Sequence, residues 1–235
     1  GGVNVVGGML TIEASTQQLH YAQIGHGGTN APGNLGGPDA FIKVHGLGGN
    51  VVVMGGEART NSGQIGHGGT HTSSGLQNDI NADITVIARN SLFLNSGNAI
   101  LDTNWGKIGH GEVRNNGTGT LNGDIHISIG DTLKMGRALI GHLDYKIDPS
   151  AFLRSARGDT FIAVSRNNPN PGGTGDFITT NQSLITSAGS GTIGEVRLYM
   201  PDPSANQIAE GTFVSNVNYT RTPAPGSGRA DENLA

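Results

Sequence analysis

Four histidines share one setting. His26, His67, His110 and His142 each close the same tripeptide, in Ile24-Gly25-His26, Ile65-Gly66-His67, Ile108-Gly109-His110 and Ile140-Gly141-His142. Imidazole is the commonest protein metal ligand and a ready proton acceptor near neutral pH, so a row of equivalent histidines first raises the question of a metal site. Ligands that share one zinc must each lie about 2.1 Å from it, and whether these four can do so depends on how far apart the chain stacks them. His20, His45, His71 and His126 show no common spacing. Carboxylates raise a second chemistry, glycoside cleavage, which needs two acids about 5 to 9.5 Å apart. Asp79 with Asp83 and Asp144 with Asp148 are the tight local pairs. On a strand, residues four apart share a face but stand about 13 Å from each other, so the first pair is too wide for one reaction centre. No catalytic residue, cofactor or metal ligand is assigned on these grounds.

The elements that carry the histidines come from a repeat. The motif histidines are separated by 41, 43 and 32 residues, and Thr60-Asn61-Ser62-Gly63-Gln64 before the second copy aligns with Thr103-Asn104-Trp105-Gly106-Lys107 before the third. Such self-similarity marks a stacked, repetitive architecture. Four alternating segments open with Asp: Asp39 to Val44, Asp83 to Ala88, Asp124 to Ile129 and, more loosely, Asp159 to Val164. A period of two with one apolar face is the signature of a strand, and the opening Asp residues are expected to accept from turn amides. Short apolar runs flank Gly7-Gly8 and reappear as Val51-Val52-Val53-Met54, giving two strands around a bend. One repeat thus reads as strand, Gly turn, strand, polar turn, short Ile-Gly-His strand and loop.

A coil of a parallel β-helix commonly takes about twenty residues, so a period near 41 implies two coils per repeat. Ten or eleven coils at about 4.8 Å would give a rod about 50 Å long. Equivalent histidines would then stand about 9 to 10 Å apart, too far to share one metal ion. The expectation is that each closes a turn and hydrogen-bonds the next coil's backbone. The isoleucines Ile24, Ile65, Ile108 and Ile140 should form one inward ladder, with Gly25, Gly66, Gly109 and Gly141 permitting the bend. The fold class is therefore all-β, a parallel β-solenoid: residues 1–142 bear the repeats, 143–222 are a divergent continuation or cap, and 223–235 a flexible tail or linker. Within 143–222, Ala151 to Arg154 could form a helical turn, Asn167 to Gly173 an outward loop, and Ile193 to Tyr199 a strand in which Glu195 takes the histidine's place.

Composition narrows the partners. Glycine supplies 40 of 235 residues, charged residues 14% and aromatics 5%, and cysteine is absent. The core must come from small and branched aliphatics, and neither disulfides nor thiolate metal sites are available. A net charge of -4 with scattered Arg and Lys gives no field for a phosphate backbone, so nucleic acid is not an expected partner. No apolar run is long enough for a membrane-spanning helix.

The Ile-Gly-His-Gly-Gly copies, the Asp-Ile-x-Val strands and the Gly-Gly bends resemble the repeat regions of filamentous-haemagglutinin-like adhesins, the exported β-helical proteins of two-partner secretion. The resemblance covers about residues 1 to 142. It implies a right-handed parallel β-helix at the bacterial cell surface or outside the cell, serving as stalk, adhesin or fibre, with host or surface glycans as possible partners. A carbohydrate-binding or polysaccharide-cleaving β-helix is the alternative. Self-association, or continuation into adjoining segments of a longer chain, is expected through two apolar strands: Val3, Val5 and Val6 at one end, and Phe213, Val214, Val217 and Tyr219 at the other.

Overall fold

The computed structural model describes residues 1–17, 20–27, 33–57, 61–68, 79–97, 104–111, 119–142, 155–164, 177–179, 183–185, 195–200 and 218–223. Outside them lie the links over 70–78 and 115–118, Asp144 and Asp148, the turn expected over Ala151–Arg154, the loop Asn167–Gly173, and Phe213, Val214 and Val217.

The chain winds into coils of three strands. Coil 1 comprises β1 (Gly2–Gly7), β2 (Leu10–Glu13) and β3 (Ala22–Ile24). Coil 2 comprises β4 (Leu35–Gly46), β5 (Val51–Met54) and β6 (Gly63–Ile65). Coil 3 comprises β7 (Ile80–Ala88), β8 (Leu92–Asn95) and β9 (Gly106–Ile108). In coil 4 a short β10 (Thr120–Asn122) precedes β11 (Ile125–Ile129), β12 (Leu133–Gly136) and β13 (Ala138–Ile140). Coil 5 repeats that order as β14 (Ser155–Arg157), β15 (Thr160–Val164), β16 (Phe177–Thr179) and β17 (Leu184–Ile185). Two further strands, β18 (Glu195–Met200) and β19 (Asn218–Pro223), extend the first face.

Strands in equivalent places pair in parallel and build three sheets. Sheet A runs β1-β4-β7-β11-β15-β18-β19, sheet B runs β2-β5-β8-β12-β16, and sheet C runs β3-β6-β9-β13-β17. This is a parallel β-solenoid, as the alternation and the repeat indicate. The coil count differs from the expectation. Leu10 pairs with Val51, Val51 with Leu92 and Leu92 with Leu133, so one repeat makes one coil and not two. The twenty-residue coil length misleads because β4 alone takes 12 residues and the segments between strands add length without adding a coil. Seven strands along sheet A then span about 29 Å.

Inside, each sheet contributes columns of aliphatics one coil apart. Ile42, Ile84 and Ile125 stack in sheet A beside Val44, Val86, Ile127 and Ile162. Sheet B adds Val51, Leu92, Leu133 and Phe177, and sheet C adds Ile65, Ile108, Ile140 and Ile185. All lie within one core cluster. Alternation buries every second residue: β7 alternates strictly, with Ile80, Ala82, Ile84, Val86 and Ala88 buried, which is the two-residue period of a half-buried strand. A second, smaller core of Ile80, Leu121 and Ala156, with Leu35 against it, sits where β10 and β14 join the start of β7.

One assignment in the divergent part is corrected. Glu195 opens β18, and the next residue, Val196, pairs with Thr160 in sheet A. It therefore continues the row of strand-opening acids and not the histidine row, which runs along sheet C. The Ile-Gly dipeptide before it is too common in a glycine-rich chain to fix which sheet it belongs to.

Candidate functional site

The repeat motif gathers at the end of sheet C. Ile24, Ile65, Ile108 and Ile140 pair in consecutive register, and the last three are wholly buried while Ile24, in the first coil, is half-buried. Beyond each, Gly25, Gly66, Gly109 and Gly141 take φ of 151°, 151°, 145° and 140°. Only glycine adopts that backbone without strain, and a Cβ on Gly109 would fall on the Gly141 carbonyl of the next coil. The chain bends there, and the following histidine is set in the same pose in coils 1 to 4.

The rings stack. His26 and His67 lie 5.2 Å apart between centroids, His67 and His110 5.2 Å, and His110 and His142 4.6 Å, with planes within 18° of parallel. The 9 to 10 Å expected from two coils per repeat is thus replaced by a one-coil step. The direction of bonding is also the reverse of the expectation. The amide N–H of His26 donates to His67 Nδ1 at 2.8 Å, that of His67 to His110 Nδ1 at 2.9 Å, and that of His110 to His142 Nδ1 at 2.9 Å. Each ring therefore reaches back to the preceding coil, because the side chain leans off its own strand toward the amide that the sheet leaves over. The backbone ladder runs on either side, Gly66 N–H to the Ile24 carbonyl and Gly68 N–H to the His26 carbonyl, so the imidazole satisfies the amide between them.

This pattern fixes the protonation state. An Nδ1 that accepts an N–H carries no proton, so the hydrogen of the neutral ring sits on Nε2. The other contacts agree: Nε2 of His110 lies 2.7 Å from the Ala82 carbonyl and Nε2 of His142 2.7 Å from the Gly123 carbonyl, so each donates there. Burial, then the neighbouring His26, lowers the His67 pKa to about 4. Burial also lowers His142 to about 4; the Gly123 hydrogen bond and Asp83 act upward and Lys107 downward. His110 is pushed well below the ordinary range by burial first and then by His142. Ligation of a metal needs a free nitrogen lone pair, and in His67, His110 and His142 the one lone pair of the neutral ring is already held by a backbone amide. Among the described residues no group of three or more His, Cys, Asp or Glu could hold a metal ion.

Two further ladders flank the histidines, and they were not singled out in the sequence. Gln23 Nε2 donates to the carbonyls of Gly66 and Gly68 at 2.8 and 2.7 Å, and Gln64 Nε2 to that of Gly109 at 2.9 Å. Asn61 Nδ2 donates to the carbonyls of Ser15 and Gln17, and Asn104 Nδ2 to that of Gly56 at 2.8 Å. The signal was present, since Asn61 and Gln64 align with Asn104 and Lys107 in the repeat. The strand-opening acids are used alike: Asp83 Oδ1 accepts the Asp124 amide at 2.9 Å, and Asp124 Oδ1 the Asp159 amide at 2.8 Å. Asp79 Oδ1 accepts both the amide and the hydroxyl of Thr120, so the local carboxylate pair of the sequence is spent on inter-coil bonds.

Of the residues expected to join copies, the described ones, Val3, Val5, Val6 and Tyr219, lie in the two edge strands of sheet A. In β1, Val3 and Val5 are half-buried and Val6 is 53% exposed. Tyr219 lies in β19 opposite Val196.

No family model matches this chain, and neither curated proteins nor solved structures show a match. What the arrangement can do is therefore read from its own geometry: it ties one coil to the next through the polar side chains of its repeats.

Proposed function

We propose that the chain is a structural β-solenoid that works outside the cell, at a bacterial surface, as part of a stalk, fibre or self-assembling filament. The observation that carries this reading is the use of the repeat's polar residues. His67, His110, Asn61, Gln64, Asp83 and Asp124, the residues with the chemistry to act on a substrate, spend it on hydrogen bonds between coils. Placement at the cell surface is supported by the likeness of the Ile-Gly-His copies to filamentous-haemagglutinin-like repeats, and a role without catalysis by the same commitment of His and Asp to the backbone. Self-association is supported by the register: edge strands of a parallel solenoid present unpaired N–H and C=O groups in the same spacing that the next coil uses.

The test is negative-stain imaging with light scattering of the 235-residue chain over a range of concentrations. Rods that lengthen with concentration are expected, and removal of residues 213–235, which carry β19, should leave a folded solenoid that no longer lengthens. A chain that stays monomeric at high concentration would contradict self-assembly.

A further inference from the structure

Sheet B turns two columns of side chains outward. One runs Thr11, Val52, Phe93, Lys134, Ile178 and the other Glu13, Met54, Asn95, Gly136, one residue per coil. The alternation of β5, β8 and β12 places their partners in the core and these residues on the outer face. Val52, Met54 and Phe93 make its middle apolar, while Glu13 in coil 1 and Lys134 in coil 4 are exposed. Between the columns lies an open groove of about 320 Å³, lined by Val52, Met54, Phe93, Asn95, Lys134 and Gly136. Gly136 has no side chain, and the Asn95 amide leans over it, with Oδ1 2.8 Å from where a Cβ would stand.

We propose that this face packs against the same face of a second copy of the chain, with the two solenoid axes antiparallel. The order of charges along the columns selects that partner and direction. A two-fold axis between coils 2 and 3 sets Val52 over Phe93 of the second copy and Met54 over its Asn95. It also sets Thr11 over Lys134 of the second copy and Glu13 over its Gly136. Glu13 then lies over the Asn95 amide that covers the glycine, beside the Lys134 ammonium of the second copy, and symmetry makes the same pair at the other end. Parallel axes would set Lys134 over Gly136 and Thr11 over Glu13 of the second copy, and neither charge would meet its opposite. The face is about 13 Å by 20 Å, on the order of 300 Å² per copy against the ~800 Å² per partner of a standard interface. Two single chains therefore associate weakly, and copies joined end to end gain by presenting the face many times. The second step, fibres held side by side, rests on the filament reading; the pairing of two chains does not.

The chain contains no cysteine, so disulfide trapping reports the geometry directly. Thr11→Cys and Lys134→Cys chains are oxidised separately and mixed; in the mixture one Glu13 and Lys134 pair remains intact. The mixture should give covalent dimer at least about tenfold above either chain alone, and Phe93→Asp in both should lower the yield about tenfold, equivalent to about 1.4 kcal/mol. Glu13→Lys, at an exposed position, should lower it as well with the fold unchanged by circular dichroism. A mixture no richer in dimer than the separate chains overturns the proposal, as does a yield that neither variant lowers. Filaments without the mixed disulfide would overturn this pairing and leave the scaffold reading standing; the mixed disulfide without filaments would do the reverse.

Discussion

A histidine row invites a functional reading, and here the same residue type performs a structural task that demands the neutral ring. His67, His110 and His142 accept a backbone amide at Nδ1, and a second proton has no place except that nitrogen. The consequence is a pH dependence of fixed sign. In the unfolded chain these rings titrate near 6.5, whereas His67 and His142 titrate at about 4 in the folded one. Between those values only the unfolded chain takes up the proton, so stability is complete above about pH 6.5 and falls as pH drops toward 4. By pH 5 the loss should be about 2 kcal/mol for each of the two rings, measured as a lower urea midpoint than at pH 7.5. An unchanged midpoint would show that the rings are not held neutral. Truncation gives a second check. His110→Ala removes an acceptor for the His67 amide, a donor to the Ala82 carbonyl and a buried ring, and should cost about 2 to 4 kcal/mol. His26→Ala, at an exposed position, should cost under about 0.5 kcal/mol.

At the scale of the element, the short strands of sheet C are set by the glycine that ends them. Gly109→Ala forces a Cβ onto the Gly141 carbonyl at a φ of 145°, and the backbone cannot yield without breaking the stack. A loss of more than about 3 kcal/mol is expected, whereas Gly8→Ala, with nothing within 4 Å of its Cβ, should be close to neutral; thermal melts of the two variants distinguish them. The strands themselves were legible. Ile125 to Ile129 alternates in sequence and alternates in burial, and all four Asp-led segments lie at sheet A. What could not be read was which strand lies above which. Alternation reports a face, not a neighbour, and only the register of Leu10 on Val51 shows that a whole period separates stacked residues. A two-coil step sets the histidines a coil too far apart and hides the bonds that Asn61 and Gln64 make to adjacent coils. The short β10 and β14 branch of sheet A escapes a sequence reading for a different reason: three residues are too few to show a period.

For the whole molecule, stability follows from stacking. No coil buries its own columns, so each depends on the coil on either side, and free energy accrues mainly through nearest-neighbour interfaces. A solenoid of this kind tolerates loss of a complete coil far better than loss of part of one. The register defines the unit: Val51 and Leu92 are equivalent, so deleting residues 51–91 joins Asn50 to Leu92 and leaves β4, β8 and β9 as one intact coil. A deletion about half as long, residues 51–71, removes β5 and β6 and leaves sheets B and C with a gap facing β4. The measurement that tests one coil per repeat most directly is the urea unfolding of these two deletions beside the parent chain. If each repeat is one coil, the 51–91 deletion unfolds cooperatively with a native β-sheet spectrum, and the 51–71 deletion has no folded baseline. If each repeat were two coils, the shorter deletion would remove one whole coil and fold; that result would contradict the account.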